Sequence, residues 1–296
     1  MLLPPIPFFG DIGWFYLSAR DAILLGKFPL LGITSSITWL HQGPLWTYMV
    51  IPAFILSNFH PLSPVIFIIT LNIFLIPNFY YLILKLFNKK TALLCTFLLV
   101  LFPWWTMHSR IPYHTSPIPL FEVICLLCLI KQRDFLAGLF LGFLYQLHLL
   151  TFIFWPIMAF RLNKKIILGF LLGILPFIIS GPIQTLGIFV WIIKHIFVGF
   201  GVTGLASEAY RVVLFIPSLL LLSLILHKLS KLLKIIIVVV TLLFVNLTFD
   251  IGRYAPFYSQ YLESAKSGID IYAQGSKFPS AIMPFQYLTW WLGRVK

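Results

Sequence analysis

Residues 64–86 read PVIFIITLNIFLIPNFYYLILKL, an apolar run whose one charged side chain is Lys85, near its end. A helix needs roughly 20 apolar residues to cross the hydrocarbon core of a bilayer, and this run is long enough. The rest of the 296-residue chain agrees, because 60% of its residues are hydrophobic and 10% are charged. A soluble domain cannot bury that much apolar surface. The sequence therefore predicts an all-α fold, a polytopic membrane helix bundle.

Further apolar runs follow the first. We expect membrane spans over residues 64–86, 91–105, 117–130, 134–147, 150–160, 166–183, 212–226 and 232–249. Several runs are short, so the pair over 134–160 fits either two crossings or a re-entrant hairpin. The predicted organisation is an outward first loop over 1–63, a transmembrane bundle over 64–249, and an outward tail over 250–296 that packs over the outer face of the bundle.

Basic residues alternate between the loops. Four loops carry compact clusters of lysine and arginine, namely Lys85, Lys89 and Lys90; Lys131 and Arg133; Arg161, Lys164 and Lys165; and Lys228, Lys231 and Lys234. Cytoplasmic loops carry such an excess, so the remaining loops and the tail are predicted to face outward from the cytoplasmic membrane. The net charge of +13 arises largely from these clusters rather than from one basic groove, which argues against nucleic acid as a partner.

Two apolar segments do not fit this alternation as crossings. Residues 44–59 and 187–200 would each reverse the parity of the loops if they spanned the membrane. We predict that both form interfacial helices on the outer face. The alternative is that one of them spans and that the sidedness is different.

The polar chemistry is concentrated in three short islands at the predicted outer face: residues 10–11 with 14–27, residues 38–43, and residues 105–117. In the first island, Asp11 precedes an apolar stretch suited to an interfacial helix. Asp11 fits two roles, the N-cap of that helix or a general base whose pKa is raised by partial desolvation. Asp21 follows Arg20, and we expect it to be a solvated or salt-bridged surface residue.

The second and third islands carry cationic and imidazole side chains. His41 precedes a helix start near Pro44, where backbone N–H groups can hold a phosphate, although an ordinary helix start is the alternative. Arg110 can pair bidentately with a phosphate or reach toward lipid headgroups. His108 and His114 can donate hydrogen bonds or bind a metal, but two histidines six apart without a nearby carboxylate form a weak metal signature.

Two further ionisable residues lie close to the third island in the predicted topology. Glu122 lies one turn into the following span, and His148 lies at the outward tip of the 134–160 pair. Intramembrane ionisable groups are costly and usually have a partner or a function. We expect Glu122 to pair with Arg110 or His114 and to orient it, with a catalytic role as the alternative.

Taken together, these residues resemble the GT-C superfamily of membrane glycosyltransferases, in particular bacterial members related to protein O-mannosyltransferases and lipid A aminoarabinose transferases. The resemblance covers most of the chain and rests on the order and common sidedness of its motifs. These are Phe9-Gly10-Asp11, residues 26–32 (GKFPLLG), residues 41–45 (HQGPL), His108-Ser109-Arg110 before Pro117, and residues 138–148 (GLFLGFLYQLH).

The resemblance implies that a sugar on a polyprenyl phosphate is transferred outside the cytoplasmic membrane, with inversion at the anomeric carbon. Asp11 resembles the family's first-loop aspartate, which acts as base on the acceptor. Positions expected near the lipid phosphate are matched by Arg110, His41, Lys27 and His108. The supporting residues would be Glu122, His114 and His148.

The sequence departs from the family in two respects. The family usually has a transmembrane helix before this aspartate, whereas ten residues precede Asp11, so we expect a start that is truncated relative to the family. Metal-dependent members often carry a second acidic residue beside the first, whereas Ile12 follows Asp11. We therefore expect no cofactor, with a divalent metal as the alternative, and we expect a polyprenyl-phosphate-linked sugar and membrane lipids as partners.

Two other classes of function stay open at the level of sequence. A transporter or lipid flippase would need polar groups along a path through the bilayer, yet the middle positions of the predicted spans are almost wholly apolar. A non-catalytic membrane scaffold would need none of the three polar islands.

Overall fold

The structure, a computed structural model, describes residues 6–35, 37–157, 161, 163–198, 206–249, 256–270, 272 and 279–295. The fold is all-α, as the composition predicts, and the described residues contain no β-strand. Two isolated bridges, Pro7 with Phe257 and Thr34 with His41, join extended segments. The predicted tail falls partly outside the described residues.

Fourteen helices are described within these ranges. They are α1 (Gly10–Leu25), α2 (Leu45–Ser57), α3 (Ser63–Leu86), α4 (Lys89–Leu101), α5 (Pro103–His108), α6 (Ile118–Ile130), α7 (Asp134–Leu147), α8 (Lys164–Gly173), α9 (Leu175–Ser180), α10 (Pro182–Val198), α11 (Ala206–Lys228), α12 (Lys231–Thr248), α13 (Tyr258–Ser267) and α14 (Met283–Val295). Short 3₁₀ turns cover Leu149–Phe154 and Pro279–Ile282.

Prolines divide two of the predicted spans. The span expected over 91–105 is two helices, α4 and α5, because the chain is extended at Phe102 and Pro103 starts a new helix. The span expected over 166–183 is likewise divided into α8 and α9, with Pro182 opening α10. Within the described residues, Ser63–Leu86 and Arg211–Lys228 are long and apolar enough to cross a membrane. The predicted run 150–160 begins as a 3₁₀ turn, and residues 158–160 lie outside the description.

The basic loops meet at one end of the bundle. The ammonium groups of Lys85 and Lys131 lie 5.4 and 4.9 Å from the ring centre of Tyr81, which joins the first basic loop to the second. The Asn88 side-chain amide donates to Nδ1 of His227 at 3.0 Å, which joins the first loop to the fourth.

The third basic loop lies against the second. Nε of Arg161 lies 3.6 Å from a carboxylate oxygen of Asp134, and its guanidinium also donates to the Leu129 carbonyl. The side chain of Asn163 donates to Asp134 at 2.6 Å. All four lysine-rich and arginine-rich loops are therefore linked by direct contacts.

The first polar island lies at the other end of α3. The hydroxyl of Tyr16 on α1 donates to the Pro61 carbonyl, just before α3 begins, at 2.9 Å. Tyr287 on α14 stacks on Phe54 and donates to the Phe59 carbonyl at 2.7 Å. Because α3 has 24 residues, it separates this end from Lys85 by roughly 35 Å.

Helices α7 and α8 pack through glycines. Gly138 and Gly142 on α7 face Gly169 and Gly173 on α8, so that a Cβ on Gly142 would lie 2.6 Å from the Cα of Gly173. A Cβ on Gly138 would overlap the carbonyl oxygen of Ile166. Small residues four apart allow this close approach of two helix backbones, and van der Waals contact then stabilises the pair.

Candidate functional site

Asp11 lies in the first turn of α1, but it does not cap the helix. The N-cap is Phe9, which has extended backbone geometry and makes no side-chain capping bond. The Asp11 carboxylate instead accepts hydrogen bonds from the Tyr113 hydroxyl at 3.1 Å and from the Ser280 hydroxyl at 3.2 Å. The capping role considered from the sequence is therefore wrong, and the carboxylate is held by side chains from two distant segments.

The environment of Asp11 changes its affinity for protons. Burial raises the pKa of this carboxyl, while the hydrogen bonds from Tyr113 and Ser280 act in the opposite direction and lower it; the net effect is a raised pKa. Burial dominates because the charged form loses hydration that two hydroxyl donors replace only in part. A carboxyl of this kind is better suited to accept a proton than a solvated aspartate is.

A cavity of about 410 Å³ opens beside this carboxyl. Asp11 and Trp14 line it from α1, His41 lines it from the second island, and Ser280 and Met283 line it from the tail. The structure thus brings together Asp11 and His41, two of the residues that the sequence singled out.

An irregular pair of extended segments holds His41 at the cavity. Ile33 and Gln42 are linked by the bond from the Gln42 N–H to the Ile33 carbonyl at 2.8 Å, and Gly32 donates to Gln42 at 2.8 Å. The imidazole Nδ1 of His41 lies 3.2 Å from the Trp39 carbonyl oxygen. A Cβ on Gly32 would overlap the Gly43 carbonyl, so the close approach of these two segments requires glycine.

The two predicted cations do not line this cavity. Lys27 is exposed and follows the last turn of α1, which has 16 residues and is therefore roughly 24 Å long, whereas Asp11 lies in the first turn. Arg110 lies three residues before Tyr113, and its Nε donates to the Thr106 carbonyl at 3.1 Å. The terminal guanidinium nitrogens of Arg110 make no ion pair or hydrogen bond with a described residue.

Among the described residues, Tyr113 lies beside His114, one of several buried histidines. The ring of His114 is 4.1 Å from that of Tyr113 and is stacked on His148 at 6.0 Å. His108 stacks on Trp104, and its Nε2 lies 3.2 Å from the Thr115 hydroxyl. Burial lowers the pKa of His108 to about 3 and lowers that of His114 well below the usual value, because both imidazoles lose hydration. Both therefore stay neutral at pH 7.

Glu122 does not make the pair that the sequence suggested. Its side chain is 4% exposed, and neither carboxyl oxygen has a hydrogen-bond partner among the described residues. The ring nitrogens of His114 are also without a partner there, so no bond joins them to Glu122. In the described part of the chain, no three His, Cys, Asp or Glu side chains are grouped as metal ligands.

Two residues of the site were missed from the sequence. Tyr113 belongs to the third island, and its position between two histidines was the signal that could have identified it. Ser280 lies 269 positions from Asp11, and no local pattern links the two residues.

Comparison with protein-family models, with curated proteins and with solved structures finds no match to this chain. The function is therefore argued from the geometry and chemistry of the site.

Proposed function

We propose that this chain is a polytopic glycosyltransferase of the cytoplasmic membrane. It moves a sugar from a polyprenyl-phosphate donor to an acceptor at the outer face, with inversion. The observation that carries the proposal is the cavity that Asp11 and His41 share. A partly buried, hydrogen-bonded carboxyl there has the properties that a general base needs, and the resemblance of the motifs to GT-C glycosyltransferases gives it a reaction.

The arrangement of charge in the bundle supports this sidedness. The four basic loops lie in contact at one end, and the Asp11 cavity lies at the other end of α3. Loops rich in lysine and arginine stay in the cytoplasm. The cavity then faces outward, where a lipid-linked sugar would present its phosphate.

The proposed chemistry is a single displacement. Asp11 accepts the proton of the acceptor hydroxyl while that oxygen forms a bond to the anomeric carbon. The bond between this carbon and the phosphate oxygen breaks, and the polyprenyl phosphate leaves with the electron pair. A positioned base contributes about 10²–10⁴-fold to such a step. Charge on the leaving phosphate would be met by His41 at the cavity. Arg110 does not line the cavity, but its terminal guanidinium nitrogens pair with no described residue, and we propose that they meet a part of the phosphate that extends beyond it.

The first prediction tests this assignment with purified protein in lipid vesicles that contain a polyprenyl-phosphate-linked sugar. Asp11→Asn should reduce transfer by about 10²–10⁴-fold, because the amide cannot accept the proton. Asp21→Asn is the matched control, since Asp21 lies on the same helix, is paired with Arg20 at 2.6 Å and does not line the cavity. Equal rates in the two variants would contradict the proposal.

Arg110→Ala should likewise nearly abolish transfer, whereas Arg133→Ala, which changes an exposed arginine at the basic end, should not.

The sugar and acceptor can be identified by mass spectrometry of lipid-linked sugars and surface glycans from cells with and without the gene. We expect the lipid-linked donor to accumulate when the gene is absent. Unchanged donor and glycan pools would count against the reaction.

A further inference from the structure

A second cavity lies between α6, α7 and α11, and it shares no lining residue with the Asp11 cavity. Its volume is about 190 Å³. The lining includes Glu122 and Cys125 on α6, Leu141 and Leu144 on α7, and Ile216 and Leu220 on α11. Apart from the carboxyl and the thiol, these walls are hydrocarbon.

Within this cavity, Glu122 is a polar group without a hydrogen-bond partner in the described part of the chain. Both of its carboxyl oxygens are buried and accept or donate no hydrogen bond among the described residues. The Cys125 thiol is already used, because it donates to the Ala137 carbonyl at 3.5 Å. A buried polar group that lacks a hydrogen bond costs about 1–3 kcal/mol, so such groups are rare without a ligand or another partner.

We infer that this cavity binds an apolar molecule with a single hydroxyl group, and that the hydroxyl pairs with the carboxyl of Glu122. The size fits, because an engineered apolar cavity of roughly 150 Å³ in another protein binds benzene. An alkyl alcohol of about six carbons therefore has the right bulk for the hydrocarbon walls.

The choice of a hydroxyl follows from what the carboxyl can do here. A neutral carboxyl both donates and accepts one hydrogen bond, and a hydroxyl matches both. An alkane would fill the walls but leave the carboxyl unpaired. An amine would form an ion pair, and the loss of hydration by two charges costs several kcal/mol for each ion in apolar surroundings. The inference does not depend on glycosyl transfer.

The test uses the full chain in lipid nanodiscs and a small apolar carbodiimide, diisopropylcarbodiimide. The O–H of a carboxylic acid adds across a C=N bond of this reagent, and mass spectrometry detects the adduct on the peptide that contains Glu122. We expect the reagent to label Glu122, whereas a water-soluble carbodiimide labels the exposed Glu263 instead. Failure of the apolar reagent to label Glu122 would overturn the inference.

Protection by small ligands identifies the ligand class. 1-Hexanol should slow the labelling of Glu122 at a concentration about fivefold lower than hexane requires. A fivefold difference in affinity corresponds to the free energy of one net hydrogen bond. Hexylamine should protect less well than the alcohol. If hexane or hexylamine protects as well as hexanol, the proposed role of the hydroxyl is wrong.

Two variants separate the cavity from the carboxyl. Leu141→Phe keeps Glu122 but fills the space beside it, and it should slow the labelling and remove the added protection by hexanol. Leu221→Phe is the matched control, because Leu221 is 60% exposed and does not line the cavity. Unchanged labelling and protection in a folded Leu141→Phe protein would show that the reagent and alcohol reach Glu122 by another route, against the inference.

Discussion

Tyr113 links the carboxyl of the candidate site to the buried histidines. Its hydroxyl donates to Asp11, and its ring lies against the His114 ring. Burial raises the pKa of Tyr113, and the negative charge of Asp11 raises it further, so the phenol keeps its proton and remains a donor. Tyr113 thereby stabilises the ionised form of the proposed base.

This arrangement leads to a prediction on pH dependence. The proposed base must be ionised, so transfer should increase as the pH rises through the pKa of Asp11. Tyr113→Phe removes a donor that lowers this pKa, and the acidic limb of the pH–rate profile should therefore move to higher pH. Tyr81→Phe, which changes a tyrosine at the basic end, should leave the limb in place. A Tyr113→Phe profile identical to the wild type would contradict the role of this hydroxyl.

His108 gives a prediction on stability. Its pKa is about 3 in the folded protein, against about 6.5 in an unfolded chain, so the unfolded state binds more protons between these values. Stability should therefore be fully present above about pH 6.5 and fall as the pH is lowered toward 3. His108→Gln should remove about 1 kcal/mol of the loss between pH 7 and about pH 5.5, measured by thermal unfolding in detergent. His227→Gln, at an exposed position, is the control and should retain the wild-type loss.

Part of the candidate site can be predicted from the sequence. Asp11 and His41 were identified because polar residues in apolar sequence are conspicuous, and the structure places both at one cavity. The GKFPLLG motif indicated Lys27, but the 16 residues of α1 place it beyond the opposite end of that helix from Asp11. Ser280 could not be found, because only tertiary packing of the tail on α1 brings its hydroxyl to Asp11.

At the scale of the elements, the contact between α7 and α8 depends on the absence of side chains. Gly138→Ala should destabilise the protein by about 1–3 kcal/mol, because the new methyl group overlaps the Ile166 carbonyl and the two helix backbones must separate. Gly293→Ala on α14 is the control, since a Cβ there meets no atom within 4 Å. Thermal unfolding in detergent compares the two. Equal stability of both variants would mean that α7 and α8 can move apart without cost.

The helix boundaries show where apolar patterning is informative. Helix α7 begins and ends where the sequence predicted, because charged residues precede it and His148 adopts an extended conformation after it. The runs over 91–105 and 166–183, predicted as single spans, are divided where Pro103 and Pro176 lie in the first turn of a new helix. In contrast, α3 and α11 continue through Pro77 and Pro217. Mean hydropathy does not detect such a break, because apolar residues lie on both sides of it. The break itself is a local steric effect of the proline ring.

At the scale of the whole molecule, the alternation of basic loops along the sequence becomes a separation in space. Lys85 and Lys131, from two of the loops, both contact the Tyr81 ring, and the hydrogen bond between Asn88 and His227 joins a further loop to them. The opposite end is built from α1, α2 and α14, which pack through Tyr16, Phe54 and Tyr287. A bundle in a membrane would keep these two ends in different compartments.

Cysteine labelling tests that separation directly. Cys95, Cys125 and Cys128 are buried, so they can be replaced and single cysteines introduced at exposed lysines. A membrane-impermeant maleimide applied to intact cells should label Lys27→Cys, whereas Lys90→Cys should react only after the membrane is permeabilised. The reason is that Lys90 belongs to the basic end, which the positive-inside rule assigns to the cytoplasm. If both cysteines react from outside, the basic loops and the Asp11 cavity share one compartment. A lipid-linked donor at the outer face would then lose its topological basis, whatever the chemistry of Asp11.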